Sequence, residues 1–130
     1  MDEREFFRTV AERTGLSREE AADLTRAALE AIARRLSEGA VRDLVLHLPD
    51  GLDATMRGVK GRPNKQYGLH EAEQQVAERT GLTPEEVHAG FREVLGTLRE
   101  VVPDTEFDRA VDQLPGEFRR LMAEGTQEPA

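Results

Sequence analysis

The sequence of 130 residues contains no cysteine, and this absence excludes several kinds of chemistry. Disulfides, thiolate metal sites and a cysteine nucleophile all require the missing side chain. A small secreted domain held together by disulfides is therefore not expected. Serine is scarce as well, because Ser17 and Ser37 are the only two and neither lies in a G-x-S-x-G motif. The sequence therefore gives no indication of a catalytic triad.

Long apolar runs are also missing. No stretch approaches the roughly 20 consecutive apolar residues that a membrane-spanning helix requires. The opening residues MDEREFFRTV are acidic, whereas a signal peptide begins with basic residues. These features predict a cytoplasmic protein without a membrane partner. The formal net charge of -8 makes nucleic acid an unfavourable general partner, because such binding depends on neutralising phosphates.

Metal ligands do not occur in a recognisable spacing. The three histidines, His47, His70 and His88, do not pair with one another at i, i+3 or i, i+4. The glutamate pairs at 19–20 and 85–86 fall in the first turns of predicted helices, where carboxylates complement the helix dipole. We therefore expect no metal, no cofactor and no enzymatic activity.

What the sequence does contain is a repeat. The string VAERTGL occurs at residues 10–16 and again at 76–82, and an offset of 66 residues aligns 10–56 with 76–122 without a gap. Self-similarity over this length indicates a tandem duplication. We predict one domain, residues 1–130, that consists of repeat 1 (3–57), a linker (58–68), repeat 2 (69–123) and a frayed tail (124–130).

Each copy of the repeat carries the same signals for a helix end and a helix start. A glycine that tolerates positive φ closes the first helix of the copy, and an S/T-x-x-E capping box opens the next one. The residues with these roles are Gly15 and Gly81 at the helix ends and Ser17, Glu20, Thr83 and Glu86 in the capping boxes. One helix is thus predicted to end and another to begin within three residues, twice.

The spacing of apolar residues predicts helices throughout. A stripe at intervals of three and four follows each capping box. Its members are Ala21, Leu24, Ala28, Ile32 and Leu36 in the first copy and Val87, Phe91, Val94, Leu98 and Val101 in the second. A third helix follows in each copy, and Pro49 and Pro115 are predicted to stop it and to open a short fourth helix. We predict an all-α bundle of about four helices per copy, related by a pseudo-twofold axis.

The acidic chain has one basic patch, formed by Arg57, Lys60, Arg62 and Lys65. Within it, KGRPNK at residues 60–65 resembles the AT-hook, whose Gly-Arg-Pro core lies in the narrow minor groove of A·T-rich DNA. Proline, glycine and asparagine are also turn formers, so a plain linker between the repeats explains the same residues. The patch is also a candidate contact for an acidic protein partner.

Two adjacent phenylalanines break the symmetry between the copies. Phe6 and Phe7 correspond to Ala72 and Glu73 in the second copy. This difference favours either a cap over the core or an oligomer face. Both phenylalanines are therefore candidate contact residues for a partner or for a second copy of the chain.

The combined pattern resembles a bacterial family called domain of unknown function 2267. It comprises Phe6 and Val10, then VAERTGL with S/T-x-E-E, a long helix, and L-P-x-x-[LF]. The resemblance covers roughly residues 3–122, and Ala72 stands where the second repeat of the family usually has a phenylalanine. It implies an all-helical bundle of two repeats and brings no activity, cofactor or site residue.

Three hypotheses for the function remain open. The first is a non-enzymatic module that binds an unknown protein partner or itself. The second is a carrier of a small or lipid-like molecule in an apolar cleft between the repeats. The third is weak association with nucleic acid through Lys60–Lys65.

Overall fold

The computed structural model of the chain describes residues 1–59 and 66–124. Within these two ranges the chain forms eight helices and no strand. The helices are α1 (Glu3–Thr14), α2 (Arg18–Ala33), α3 (Glu38–Val45), α4 (Leu52–Arg57), α5 (Leu69–Thr80), α6 (Pro84–Val101), α7 (Asp104–Asp112) and α8 (Gly116–Glu124). The predicted all-α fold class is confirmed.

The first tight corner lies between α1 and α2. Gly15 follows the last residue of α1 with φ 79°, a left-handed conformation that is costly for a residue with a side chain, and its N–H donates to Ala11 O. Ser17 Oγ then accepts from the N–H of Glu20, whose carboxylate accepts from the N–H of Ser17 at 3.0 Å. Two otherwise unpaired N–H groups at the start of α2 are thereby satisfied.

The corner between α5 and α6 has the same construction. Gly81 follows α5 with φ 75°, and its N–H donates to Ala77 O at 2.8 Å. Thr83 and Glu86 form the capping box of α6, in which Glu86 accepts from the N–H of Thr83 at 2.9 Å. A turn of only three residues therefore joins the end of α5 to the start of α6.

The buried side chains form one apolar cluster that includes residues of all eight helices. Its centre is formed by α2 and α6, which contact each other along their apolar stripes. The stripe of α2 is buried as far as Leu36, just after the helix end. In α6 the stripe shifts at its end, because Val101 is half-buried and the next residue, Val102, is buried.

The two halves of the sequence pack crosswise. Helix α1 lies against α6, and α5 lies against α2. The arginine of each heptamer reaches the other half, since Arg13 Nη2 lies 2.8 Å from Glu100 Oε1 and Arg79 forms an ion pair with Glu30. The pseudo-twofold relation, the repeat boundaries and the single-domain assignment stay predictions.

The prolines lie beyond the ends of the third helices rather than at them. Helix α3 ends at Val45, four residues before Pro49, and α7 ends at Asp112, three residues before Pro115. The carbonyl of Pro49 accepts from Leu52 N–H, and the carbonyl of Pro115 accepts from Phe118 N–H at 3.0 Å. Each proline therefore stabilises the first turn of the short helix that follows it.

Candidate functional site

The basic patch lies mostly outside the described residues. Lys60, Arg62 and Lys65 belong to residues 60–65, so the AT-hook and linker interpretations of this segment both stay predictions. The fourth member, Arg57, is the last residue of α4 and is exposed. Its guanidinium lies 3.9 Å from a carboxylate oxygen of Asp53, one helical turn earlier. This is a surface ion pair of the kind that contributes little to stability.

The two phenylalanines have different surroundings. Phe6 is fully buried in the core, so its ring is not available to a partner. Phe7 is half-buried against the core, and its ring lies beneath the guanidinium of Arg26, with Cζ 4.9 Å from the ring centroid. A cation over an aromatic face at this distance is attractive. Phe6 is therefore part of the core itself, and the two interpretations of Phe7, a cap over the core and an oligomer face, stay predictions.

One pocket lies where the two halves meet. It is lined by Met1, Thr9, Arg13, His47, Glu100 and Val101. The ion pair between Arg13 and Glu100 crosses this region, and Arg13 also donates to the hydroxyl of Thr97 at 3.2 Å. The hydrogen bond to Glu100 is the main cause that raises the pKa of Arg13. This polar lining does not favour the apolar ligand that the carrier hypothesis requires.

A second pocket has a more apolar lining and lies between α5 and α6. This α5–α6 groove has a volume of about 550 Å³. It is lined by His70, Glu73, Gln74 and Ala77 of α5 and by Pro84, Glu85, Val87, His88 and Ala89 of α6. The α5 residues recur at intervals of three and four, so they share one face of that helix. The short turn at Gly81 places this face against the start of α6.

The floor and the rim of the groove differ in chemistry. Val87 is buried, and Ala77 and Ala89 are half-buried, so small apolar side chains form the floor. Glu85 and Gln74 are exposed at the rim, and Glu73 is half-buried. An apolar floor with a few polar groups at its edge is typical of recognition sites.

His88 connects the groove to the end of α8. Its Nδ1 lies 2.7 Å from Glu73 Oε2, and its Nε2 lies 2.9 Å from Glu124 Oε2. Neutral imidazole has one N–H donor, so only the protonated ring can donate to both carboxylates. Arg92, one turn further along α6, lies 3.8 Å from the same Glu124 oxygen. The sequence predicts that Glu124 belongs to a frayed tail, but the structure shows it as the last residue of α8. Its contacts with His88 and Arg92 hold α8 to α6.

Opposing effects set the pKa of His88. Burial favours the neutral ring and lowers the pKa, while the hydrogen bonds to Glu124 and Glu73 and the attraction of both carboxylates raise it. The carboxylates prevail, and the pKa is raised from the usual 6.5. The geometry and the direction of the shift both favour an imidazolium that links three helices.

Sequence reasoning missed this cluster. The sequence has one E-x-x-H spacing, Glu85 and His88 in the first turns of α6, but Glu85 is not one of the two carboxylates in this cluster. Glu73 and Glu124 could not be added from the sequence, because they come from two other helices. Among residues 1–59 and 66–124, no group of three side chains is arranged to hold a metal ion.

Within the part of the chain that the structure describes, no helix has both the length and the apolar composition needed to cross a membrane.

The comparisons with known proteins give a family and no activity. No curated protein matches the chain. The model of the family DUF2267, described as an uncharacterized conserved protein, matches residues 3–121. This range spans α1 to α7 and the first six of the nine residues of α8, including both corners and the α5–α6 groove. The chain therefore belongs to the DUF2267 family.

Proposed function

We propose that the chain is a non-enzymatic protein-interaction module of the cytoplasm, and that the α5–α6 groove is its contact surface. The observation that carries the proposal is the composition of the groove. The small apolar side chains of Ala77 and Ala89 are partly exposed at the base of a concave surface, where a partner side chain would remove them from water. Polar groups at the rim then provide orientation and specificity.

The rigidity of the two helices that form the groove supports this proposal. The groove lies on two helices joined by a turn with defined caps, and both helices bury apolar residues in the common core. Val87 belongs to that core and to the groove floor at the same time. A preformed surface binds with a smaller loss of conformational entropy than a flexible one.

The test is photo-crosslinking in the native cell. A photoreactive amino acid replaces Gln74, which is exposed at the groove, and in a matched control it replaces Ala54, which is exposed on α4 outside the groove. We expect a discrete crosslinked protein from position 74 and none from position 54. A second copy of this chain at position 74 would identify self-association as the form of the interaction. Equal crosslinking at both positions, or none at position 74, would contradict the proposal.

A further inference from the structure

The first half of the chain shows how the face that corresponds to the α5–α6 groove can be filled. With the offset of 66 residues, Phe7 of α1 corresponds to Glu73 of α5, and Arg26 of α2 corresponds to Arg92 of α6. Phe7 packs against the core, and the Arg26 guanidinium lies 4.9 Å above its ring. An aromatic ring flanked by a cation therefore occupies the α1–α2 face.

The second half lacks both parts of this arrangement at the same place. Glu73 is turned to His88, with 2.7 Å between Oε2 and Nδ1. Arg92 is engaged by two other carboxylates, since its Nε donates to Glu93 at 3.4 Å and its Nη1 lies 3.8 Å from Glu124. The α5–α6 face thus has an apolar floor and no aromatic ring of its own at the position of Phe7. Its volume of about 550 Å³ falls in the range of clefts that enclose small-molecule ligands, which leaves room for one aromatic side chain.

The second half of the chain carries a net negative charge, so a complementary partner is positively charged. Residues 66–124 contain thirteen acidic and six basic side chains, whereas residues 1–59 contain twelve acidic and nine basic ones. At the groove itself, Glu73 pairs with His88, while Glu85 at the rim and Glu78, one turn after Gln74 on α5, are exposed carboxylates. A field of this sign attracts cationic segments and repels acidic ones.

We propose that the α5–α6 groove binds a protein segment that presents one aromatic side chain flanked by arginine or lysine. The inference rests on the proposed function and names the class of partner. The aromatic ring contacts the partly exposed Ala77 and Ala89, on the face that Phe7 covers in the first half. The flanking cation pairs with Glu85 at the exposed rim. An aromatic anchor with adjacent arginine is also the composition of strong contacts in protein interfaces.

The probe is a short alanine-based helical peptide with a central phenylalanine and an arginine one turn away on each side. Two matched peptides replace the phenylalanine by alanine or both arginines by glutamate. Binding is followed by NMR through the backbone amides of Ala77, Val87 and Ala89 in the full chain. We expect the first peptide to shift these amides and each matched peptide to bind at least about tenfold more weakly.

Variants of the protein test the filling of the groove directly. Glu73→Phe copies the residue of the first half, and we expect its ring to occupy the floor and abolish binding of the peptide. Glu12→Phe also exchanges a carboxylate for a phenylalanine, but at an exposed position of α1 outside the groove, and is expected to bind as the parent does. If Glu73→Phe does not fold, Glu85→Lys replaces it, because Glu85 is exposed at the rim. We expect this reversal to weaken binding several-fold, more at low salt than at high salt.

The outcomes separate this inference from the proposed function. Stronger binding of the acidic peptide, or equal binding of all three peptides, would overturn the partner class and leave the groove as a contact surface. A crosslinked partner at position 74 together with no binding of any peptide would overturn this inference alone. Failure of both experiments would remove the proposed function as well. Binding that survives in Glu73→Phe while the variant is folded would place the peptide elsewhere and overturn the inference.

Discussion

The α1–α2 face and the α5–α6 face share seven identical residues at their corners and differ in what covers them. In the first half, Phe6 is buried in the core and Phe7 lies across the face beneath Arg26. In the second half, Ala72 is buried and Glu73 lies at the edge of a groove. Phe7 covers part of one face, and the other face leaves the small side chains of Ala77 and Ala89 partly exposed.

The comparison separates residues that build the fold from residues that distinguish the surfaces. Each copy of VAERTGL supplies a buried valine, an arginine that pairs with the other half, and a glycine that ends the helix. Because these three structural roles are the same in both halves, the residues at these positions are identical. The differences at the neighbouring positions 7 and 73 change the surface without changing the corner. A function specific to one half is therefore to be sought where the copies differ.

The largest expected effect on stability comes from replacing the buried Phe6 of the first half by alanine, the residue at the corresponding position of the second half. Phe6→Ala copies Ala72 and removes a fully buried ring from the core. We expect a loss of about 3–5 kcal/mol in the free energy of unfolding, because contacts are lost and a cavity remains. Equilibrium unfolding in urea measures it.

Phe7→Ala is the matched control for that variant. The same ring is removed one residue later, where it is only half-buried. We expect a smaller loss of about 1–2 kcal/mol, from partial burial and from the contact with Arg26. Equal losses for both variants would contradict the distinction between a core ring and a covering ring.

An intermediate effect on stability is expected at Gly90, where α6 contacts the corresponding residue of α2. Leu24 of α2 corresponds to Gly90 of α6, and the two residues are in direct contact, because a Cβ on Gly90 would overlap Leu24 Cδ2 and lie 3.2 Å from its Cγ. Leu24 is fully buried and has little room to move. We therefore expect Gly90→Ala to lower the free energy of unfolding by about 1–2 kcal/mol, since overpacking outweighs the gain in helix propensity.

Gly96→Ala provides the control on the same helix. A Cβ at Gly96 meets no atom within 4 Å, so only the helix propensity changes. We expect this variant to be more stable by about 0.5–1 kcal/mol in the same urea experiment. A gain in stability for Gly90→Ala as well would show that the core has space between α2 and α6, and would refute the close contact.

The fold was largely predictable because its signals are local. Capping boxes and helix-ending glycines act within four residues, and apolar stripes act within one helix, so the sequence indicates each helix without knowledge of the others. The prediction of where α3 and α7 end was less accurate. Leu48 and Leu114 continue the apolar pattern and are buried, although they lie in turns after the helices have ended.

The candidate site was not predictable because its parts are distant in sequence. Glu73, His88 and Glu124 come from α5, α6 and α8, and only the packing of these helices brings the two carboxylates to opposite nitrogens of one ring. The groove floor has the same origin, since Ala77 and Val87 face each other through the corner at Gly81. The sequence did show the difference at Phe7 and Glu73, but it did not show that the difference leaves one face open.

The smallest expected effect is the pH dependence of the His88 contacts, which only the second half contains. The ring is faced by Glu73 from α5, by Glu124 from α8 and by Arg92 on its own helix, and Glu85 and His70 line the same groove. Because the folded pKa of His88 is raised above 6.5, its contribution to stability is fully present below pH 6.5. It is lost as the pH rises through the folded pKa, when the ring can donate to only one carboxylate.

His88→Gln tests this assignment, because glutamine cannot become charged. We expect the parent protein to be more stable than the variant by about 0.5 kcal/mol at about pH 5, and the difference to be lost as the pH rises through the folded pKa of His88. The effect is small because the His88 side chain is 41% exposed and solvent screens both ion pairs. Urea unfolding at low salt measures the difference at each pH.

His70→Gln is the control from the same groove, since none of the ion pairs within residues 1–59 and 66–124 includes His70. A stability difference for His88→Gln that stays constant or grows with rising pH would mean that the two carboxylates do not hold a protonated ring.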